Sequence, residues 1–251
     1  MTLQDLSEFQ SGVEYDAQYQ HLFADEIQFL SRLAEQHAVK TILDICCGTG
    51  IVTVPLAQLG YHVCGVDIVT SMLEQARNKA GSLANIELRL ENALTMDHDR
   101  HYDLAIMTGN AFQAFLRPED IEQLLLTTHR HLNPQGLLVF DSRMPEGYDF
   151  SIDADFRLIS EYLDPQGRQA QYLLRKTRYD ADPGVLYFDK LRRYSDGSEQ
   201  HSAIEIKFTP FSQLQTLLNR CGFLLQACYC DWQGNCFSEG NDKLVMAARA
   251  R

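Results

Sequence analysis

From Thr41 to Ser142 the chain alternates short apolar runs with stretches of helical spacing, and this alternation limits the fold more than any other feature. TILDIC (41–46) and HVCGVD (62–67) read as short buried strands, and IELRLE (86–91), YDLAIMT (102–108) and GLLVFDS (136–142) continue the series. Between them lie a helix over 51–60 closed by Gly60, one over 70–80 capped by Thr70 or Ser71, and one from about Pro118 to His131. Pro55 is tolerable only in a first turn, so the first of these helices must start close to Gly50. Before the first strand, Leu22, Phe23, Ile27, Leu30 and Leu33 share one helical face. Strands joined by helices need crossover connections. The expected class is therefore α/β, a doubly wound and largely parallel sheet with helices on both faces.

The pattern breaks after Arg143. Four strand-like runs, FRLISEYL, QYLLRKTRY, VLYFDKLRRY and SAIEIKF, fill residues 156–208, separated by the turn sequences DPQGR, DADPG and SDGS. This predicts an antiparallel insertion over 151–208 between two parts of the main domain, 1–150 and 209–251. A helix follows, with Thr209 as cap, Pro210 as opener and Gly222 as stop, and then two strands, 223–231 and 242–250. The insertion holds nine Lys or Arg against eight acids, whereas the whole chain carries a formal charge of −12. Lys176 and Arg178 are expected on one strand face, as are Lys190 and Arg192. Such a face can recognise an anionic acceptor, form cross-strand ion pairs or contact a second copy.

A pI near 5.0 argues against a protein that grips nucleic acid through phosphates. Seven cysteines without a CxxC pair, and without histidine at zinc spacing, predict free thiols in a reducing compartment and no metal site. The first ten residues show neither a basic nor an apolar leader region, and no run approaches a membrane span. A cytoplasmic protein with no membrane partner is expected.

The first strand ends in LDICCGTG, Leu43 to Gly50. Glycines at 48 and 50 let a backbone pass close to a ligand at the point where strand order reverses. A dinucleotide turn would add a third glycine at position 53, where this chain has Thr53. Asp44 is badly placed for a diphosphate. A ligand with a nucleoside and a cation but no phosphate accounts for both departures, and S-adenosylmethionine is such a ligand. Asp44 can meet its positive methionyl end, directly or through water. Asp67, 17 residues after Gly50, can accept from the ribose hydroxyls; the plainer reading is that Asp67 caps the next helix.

With these residues in view, the chain resembles the class I S-adenosylmethionine-dependent methyltransferases over most of its length. LDICCGTG is similar to their first motif through Asp44, Gly48 and Gly50, with Cys46 where the family usually has glycine. GVDIVTSML resembles the second, which implies Asp67 on the ribose and Ile68 and Met72 near the adenosine. ENALTM resembles the third, which implies Asn92 on the adenine amino group, where Asp is commoner, with Ala93 beside it. YDLAIMTGNAF resembles the fourth, with Asn110 at the mouth of the site. A Tyr-Asp segment like Tyr15-Asp16 and a β-rich insertion after the fifth strand resemble the small-molecule branch, similar to sugar N-methyltransferases and the glycine N-methyltransferase type. The implied fold is the seven-stranded Rossmann-like methyltransferase sheet ending in a reversed hairpin, with the insertion as substrate lid or oligomer contact.

The implied activity is methyl transfer to nitrogen or oxygen of a small-molecule acceptor. A methyltransferase of RNA or protein, or a non-catalytic cofactor-binding module, would share the same first motifs. An amine acceptor need only be neutral, whereas a hydroxyl needs a base. Tyr15, Tyr19, Asn110, Gln113, Asp141 and Arg143 are the groups expected around the acceptor, with Asp141 as candidate base and Tyr15 and Tyr19 closing over the cofactor. His129 and His131 read as positive ends complementing a helix dipole, and His98 as part of a solvated loop. A homodimer is left open. If the insertion serves the acceptor, deleting 156–208 is expected to leave cofactor binding largely intact.

Overall fold

A computed structural model describes residues 5–238 and 240–251, so the first four residues of the stretch read for a leader lie outside it. Five strands, β1 (Thr41–Ile45), β2 (His62–Asp67), β3 (Ile86–Leu90), β4 (Tyr102–Met107) and β5 (Leu132–Arg143), join the final pair, β10 (Phe223–Tyr229) and β11 (Lys243–Ala250), in one sheet. Its order is β10-β11-β5-β4-β1-β2-β3. All pairings among β1 to β5 are parallel, and β11 runs antiparallel to both neighbours. Strand order reverses between β1 and β4, which opens a crevice at their carboxyl ends.

The helices are α1 (Gly12–Tyr19), α2 (Ala24–Gln36), α3 (Thr53–Gln58), α4 (Thr70–Ala80), α5 (Pro118–Arg130) and α6 (Phe211–Arg220). Alternation along each strand divides the core. Ile42, Val63, Leu104, Ile106 and Val139 pack under Phe29, Leu30 and Leu33 of α2 and Val52 and Leu56 beside α3. Leu43, Ile45, Val66, Ala105 and Phe140 face Leu124 and Leu125 of α5 and Leu214 and Leu218 of α6. Each fully buried leucine contributes about 1.5–3 kcal/mol. Pro55 is the third residue of α3, inside its first turn as its missing N–H requires.

Two helix starts differ from expectation, and one helix has no forerunner in the sequence pattern. Neither Thr70 nor Ser71 caps α4: Asp67 Oδ1 accepts from Val69 N at 2.9 Å, and Ser71 Oγ donates to Phe9 O at 2.7 Å. Pro210 itself is the N-cap of α6, without a side-chain bond from Thr209. Helix α1 lies where no apolar periodicity announces it, because it buries Gly12, Glu14, Asp16 and Gln18.

Between β5 and α6 the chain forms a second, antiparallel sheet, β6 (Arg157–Leu163), β7 (Gln169–Asp180), β8 (Val185–Tyr194) and β9 (Glu199–Lys207), in sequential order. Tyr148, Phe150, Leu186, Phe188, Ile206 and Phe208 form its own apolar cluster. The register of β7 shifts between Lys176 and Arg178, whose partners are Phe188 and Tyr187. That bulge turns Arg178 to the opposite face from Lys176, so the expected shared basic face is absent there.

Candidate cofactor and acceptor site

The turn after β1 is built from residues at positive φ: Cys46 at 59°, Gly48 at 55° and Gly50 at 72°. Cys46 holds a conformation that usually selects glycine, with a side chain small enough to be accommodated. A Cβ on Gly50 would lie 3.2 Å from both Ala76 and Val54, so glycine there allows α3 and α4 to close on the turn. The Met72 methyl lies 3.5 Å from where a Gly48 Cβ would be, which sets Met72 against the turn.

Asp44 is buried at the end of β1, and its Oδ2 accepts from Thr53 Oγ1 at 2.6 Å. Burial pushes its carboxyl up to about 7, with Thr53 opposing and Asp67 adding to the rise. Asp67 accepts from Gly48 N at 2.8 Å and Val69 N at 2.9 Å; burial still raises its carboxyl above the ordinary range, against those donors. The plainer cap reading and the ribose reading thus share one side chain. It fixes both the glycine turn and the entry to α4. Ile68, next to it, is 51% exposed.

The third segment is anchored to the second by Glu91 N donating to Asp67 O at 2.9 Å. Asn92 Oδ1 accepts from Leu94 N at 2.9 Å, leaving its amino group free of that turn, and Ala93 is buried beside it. Tyr15 packs 4.6 Å from Tyr19 by ring centroids, and burial, together with Glu8, Asp67 and Asp16, raises its hydroxyl well above the usual value. Tyr19 donates to Glu8 Oε1 at 3.0 Å. Both tyrosines therefore sit on the strap formed by α1.

Sequence patterns did not reveal what holds that strap. Asp16 accepts from Thr49 Oγ1 in the middle of the glycine turn, from Gln75 Nε2 at 2.8 Å and from Lys79 Nζ at 2.9 Å. On the other side, Glu8 accepts from Arg192 at 2.8 and 3.1 Å and from Ser202 Oγ at 2.7 Å, with Lys190 Nζ at 2.9 Å. Burial alone would raise the Glu8 carboxyl, but Lys190 and Arg192 overcome it and hold it at about 2. Lys190 and Arg192 do share a face, and that face is occupied by an internal acid instead of lying open to a ligand. The polar residues Glu8, Glu14, Asp16 and Gln18 carry no periodicity that marks them as buried.

A second group lies at the ends of β4 and β5. Asn110, at φ 61°, donates its backbone N–H to Asp141 Oδ1 at 2.7 Å, and Trp232 Nε1 lies 3.4 Å from Oδ2. Burial pushes the Asp141 carboxyl up to about 6, and burial likewise lifts Glu26 on α2 to about 7, with Asp141 among its acidic neighbours. Gln113 is fully buried, donating to Lys207 O at 2.9 Å and accepting from Arg143 Nη1 at 2.9 Å. These two expected acceptor residues instead join β5 to the end of β9. His98 is buried, not solvated, and His131 carries a lone pair toward a backbone N–H, not a helix-capping charge.

Asp44 and Asp67 thus face a glycine turn with no Lys or Arg acting on either among the described residues. One buried and one half-buried acid disfavour a phosphate and suit an adenosine carrying an ammonium and a sulfonium. Residues 42–136 match the family model for a methyltransferase domain. They form a class I S-adenosylmethionine-dependent methyltransferase domain. Over 90% of its length the chain is 25% identical to the glycine/sarcosine N-methyltransferase of Aphanothece halophytica, covering 82% of that protein. The methyltransferase fold extends through the insertion. The CcbJ methyltransferase of Streptomyces caelestis superposes with a TM-score of 0.80 at 20% identity, covering 96% of this chain and 99% of that one. CalS10, an amino pentose methyltransferase from Micromonospora echinaspora solved with S-adenosylmethionine bound, gives 0.74 at 19% identity, covering 94% and 96%. No helix among the described residues of this methyltransferase is long and apolar enough to cross a membrane.

Proposed function

We propose that this methyltransferase transfers the methyl group of S-adenosylmethionine to nitrogen or oxygen of a small-molecule acceptor, with an amine favoured. The observation that carries the cofactor half is the pair of acids, Asp44 buried and Asp67 half-buried, on a turn of positive φ without a neighbouring cation. When bound, the sulfonium supplies a methyl carbon activated for in-line displacement. Asp44 would hold the ammonium, Asp67 the ribose hydroxyls, and Ile68, Met72, Asn92 and Ala93 the adenine; Gly48 and Gly50 give backbone clearance, and Cys46 shapes the turn. Tyr15 and Tyr19, fixed by Asp16 and Glu8, would close the site and exclude water.

Charge accounting favours an amine acceptor. Lys190 and Arg192 are engaged with Glu8, and Arg143 with Gln113. Among the described residues, Asp141 on β5 and Glu26 on α2 accept no hydrogen bond from a cation, and burial outweighs the nearby charges of Arg143 and Lys243 in raising both. They would attract a protonated amine and return it neutral. Asp141 near 6 is ionised at neutral pH, and its bond to Asn110 N orients the loop at the mouth of the site. Alignment of donor and acceptor then supplies most of the rate. The inserted sheet and α1 together form the proposed acceptor-side cover, a role similar to a lid; a homodimer contact through that sheet is the other use of its outer face.

Incubating the chain with S-adenosylmethionine and a panel of amino sugars, amino acids and matched hydroxyl analogues, with S-adenosylhomocysteine formation as readout, tests this. Turnover with an amine supports the reading. Turnover only with RNA or protein, or binding of cofactor without turnover by any acceptor, would replace it.

A further inference from the structure

Behind the segment that carries Asn92 and Ala93 lies a set of buried side chains with no part in the chemistry above. His131, just past α5, places Nε2 2.9 Å from the backbone N of His98 and Nδ1 2.7 Å from Thr127 O. A backbone N–H only donates, so Nε2 must carry the lone pair and Nδ1 the proton that goes to the carbonyl. His98, whose ring lies 5.1 Å from that of His131, bridges Glu91 Oε2 at 2.9 Å and Tyr102 Oη at 2.8 Å, and Arg100 Nε donates to the same hydroxyl at 3.0 Å. Glu91 precedes Asn92, and His98 ends the loop that follows it. Both ends of the 91–98 segment are therefore pinned by imidazoles, while Thr95 N and Met96 N close its turn on Asn92 O.

We propose that His131 and His98 form a positioning latch that holds the adenine-contacting segment, and that the latch requires neutral His131 in the Nδ1–H tautomer. The inference rests on the cofactor reading above, because it gives Asn92 and Ala93 their ligand. Protonating Nε2 would set an N–H against the His98 N–H and release the segment. The charged and titratable groups facing His131 are His98, Arg130 and Asp97; burial lowers its basicity, opposed by Thr127 O, with His98 and Arg130 acting in the same direction as burial. The latch is therefore closed at neutral pH and opens as pH falls below the ordinary histidine range.

The full chain should be titrated with 5′-methylthioadenosine, which has adenine and ribose but no ammonium for Asp44, between pH 5 and 8. Wild type should lose affinity toward the acid end. His131→Gln, which keeps an acceptor near the Nε2 position but cannot titrate, should bind within about two-fold of wild type at pH 7 and lack the acid-side loss assigned to His131. His131→Leu should bind about ten-fold more weakly at pH 7, the weight of one hydrogen bond left unmade in a buried site. Nitrogen NMR of the wild-type rings should show the Nδ1–H tautomer. An Nε2–H tautomer, full affinity in His131→Leu, or an unchanged pH profile in His131→Gln would overturn the latch. A chain with the expected tautomer that binds neither methylthioadenosine nor S-adenosylhomocysteine would instead overturn the cofactor reading on which the latch depends.

Discussion

Thr53 Oγ1 donates to Asp44 Oδ2 at 2.6 Å, so the residue standing where a dinucleotide turn has its third glycine is the donor that stabilises a buried acid. The two departures from a dinucleotide pattern are one interaction. Burial raises the Asp44 carboxyl and this bond opposes the rise, which leaves the group near its midpoint at neutral pH. A ligand cation would complete the ionisation.

This fixes the sign of the pH dependence. In the free protein Asp44 titrates at about 7, and an ammonium draws it to the charged form, so cofactor binding releases a proton below that pH. Affinity for S-adenosylhomocysteine should fall about ten-fold from pH 8 to pH 6, and Asp44→Asn should flatten that dependence while binding weakly throughout. The same raised value means that the free fold loses stability from Asp44 as pH rises from the unfolded carboxylate range through 7. Calorimetry in buffers of different ionisation enthalpy measures the proton release directly.

Asp67→Ala removes the acceptor for Gly48 N and Val69 N as well as the proposed ribose ligand. Binding of S-adenosylhomocysteine should weaken by about 100-fold, the scale of two charge-assisted hydrogen bonds, with a smaller loss of thermal stability. Normal affinity with only a lower Tm would reduce Asp67 to a cap.

Glu8 reports on the strap. Its carboxyl is held at about 2, below its unfolded value, so the stabilisation it gives is present above about pH 4.5 and disappears as pH falls toward 2. Glu8→Gln leaves Lys190 and Arg192 buried without their anion and should cost about 3–5 kcal/mol. Denaturant unfolding at pH 7 and pH 3 should show a gap between wild type and variant that narrows in acid.

The insertion is not a detachable cover. Arg192 is bonded to Glu8 and Gln18, Tyr162 and Tyr194 to Glu14, and the strap so held is the one whose Asp16 grips Thr49. Deleting 156–208 should therefore weaken cofactor binding at least several-fold, contrary to the expectation drawn from its separate turn chemistry. Comparing the affinities of the two chains for S-adenosylhomocysteine checks this.

The main sheet was legible because β1, β2, β4 and the second half of β5 are apolar runs whose burial does not depend on their neighbours' details, while β3 alternates as an edge strand should. The turn at Gly48 and Gly50, and the acids at 44 and 67, were legible for the same local reason. Helix α1 was not, because its buried face is Glu14, Asp16 and Gln18, each made tolerable only by partners 30 to 180 residues away. His98 looks solvated in MDHDRH until His131 and Tyr102 fold over it. Arg178 changes face through a single extra residue at Thr177, which no alternation pattern encodes. What escaped the sequence was the pairing of buried polar groups.

A turn suited to a nucleoside with a cation and no phosphate should separate S-adenosylhomocysteine from NADH. Calorimetric titration of the purified chain with S-adenosylhomocysteine, and separately with NADH, tests it most directly. Saturable binding of S-adenosylhomocysteine with none of NADH is the result expected from Asp44, Thr53 and Asp67. Binding of NADH alone would contradict the account and remove the methyltransferase reading with it.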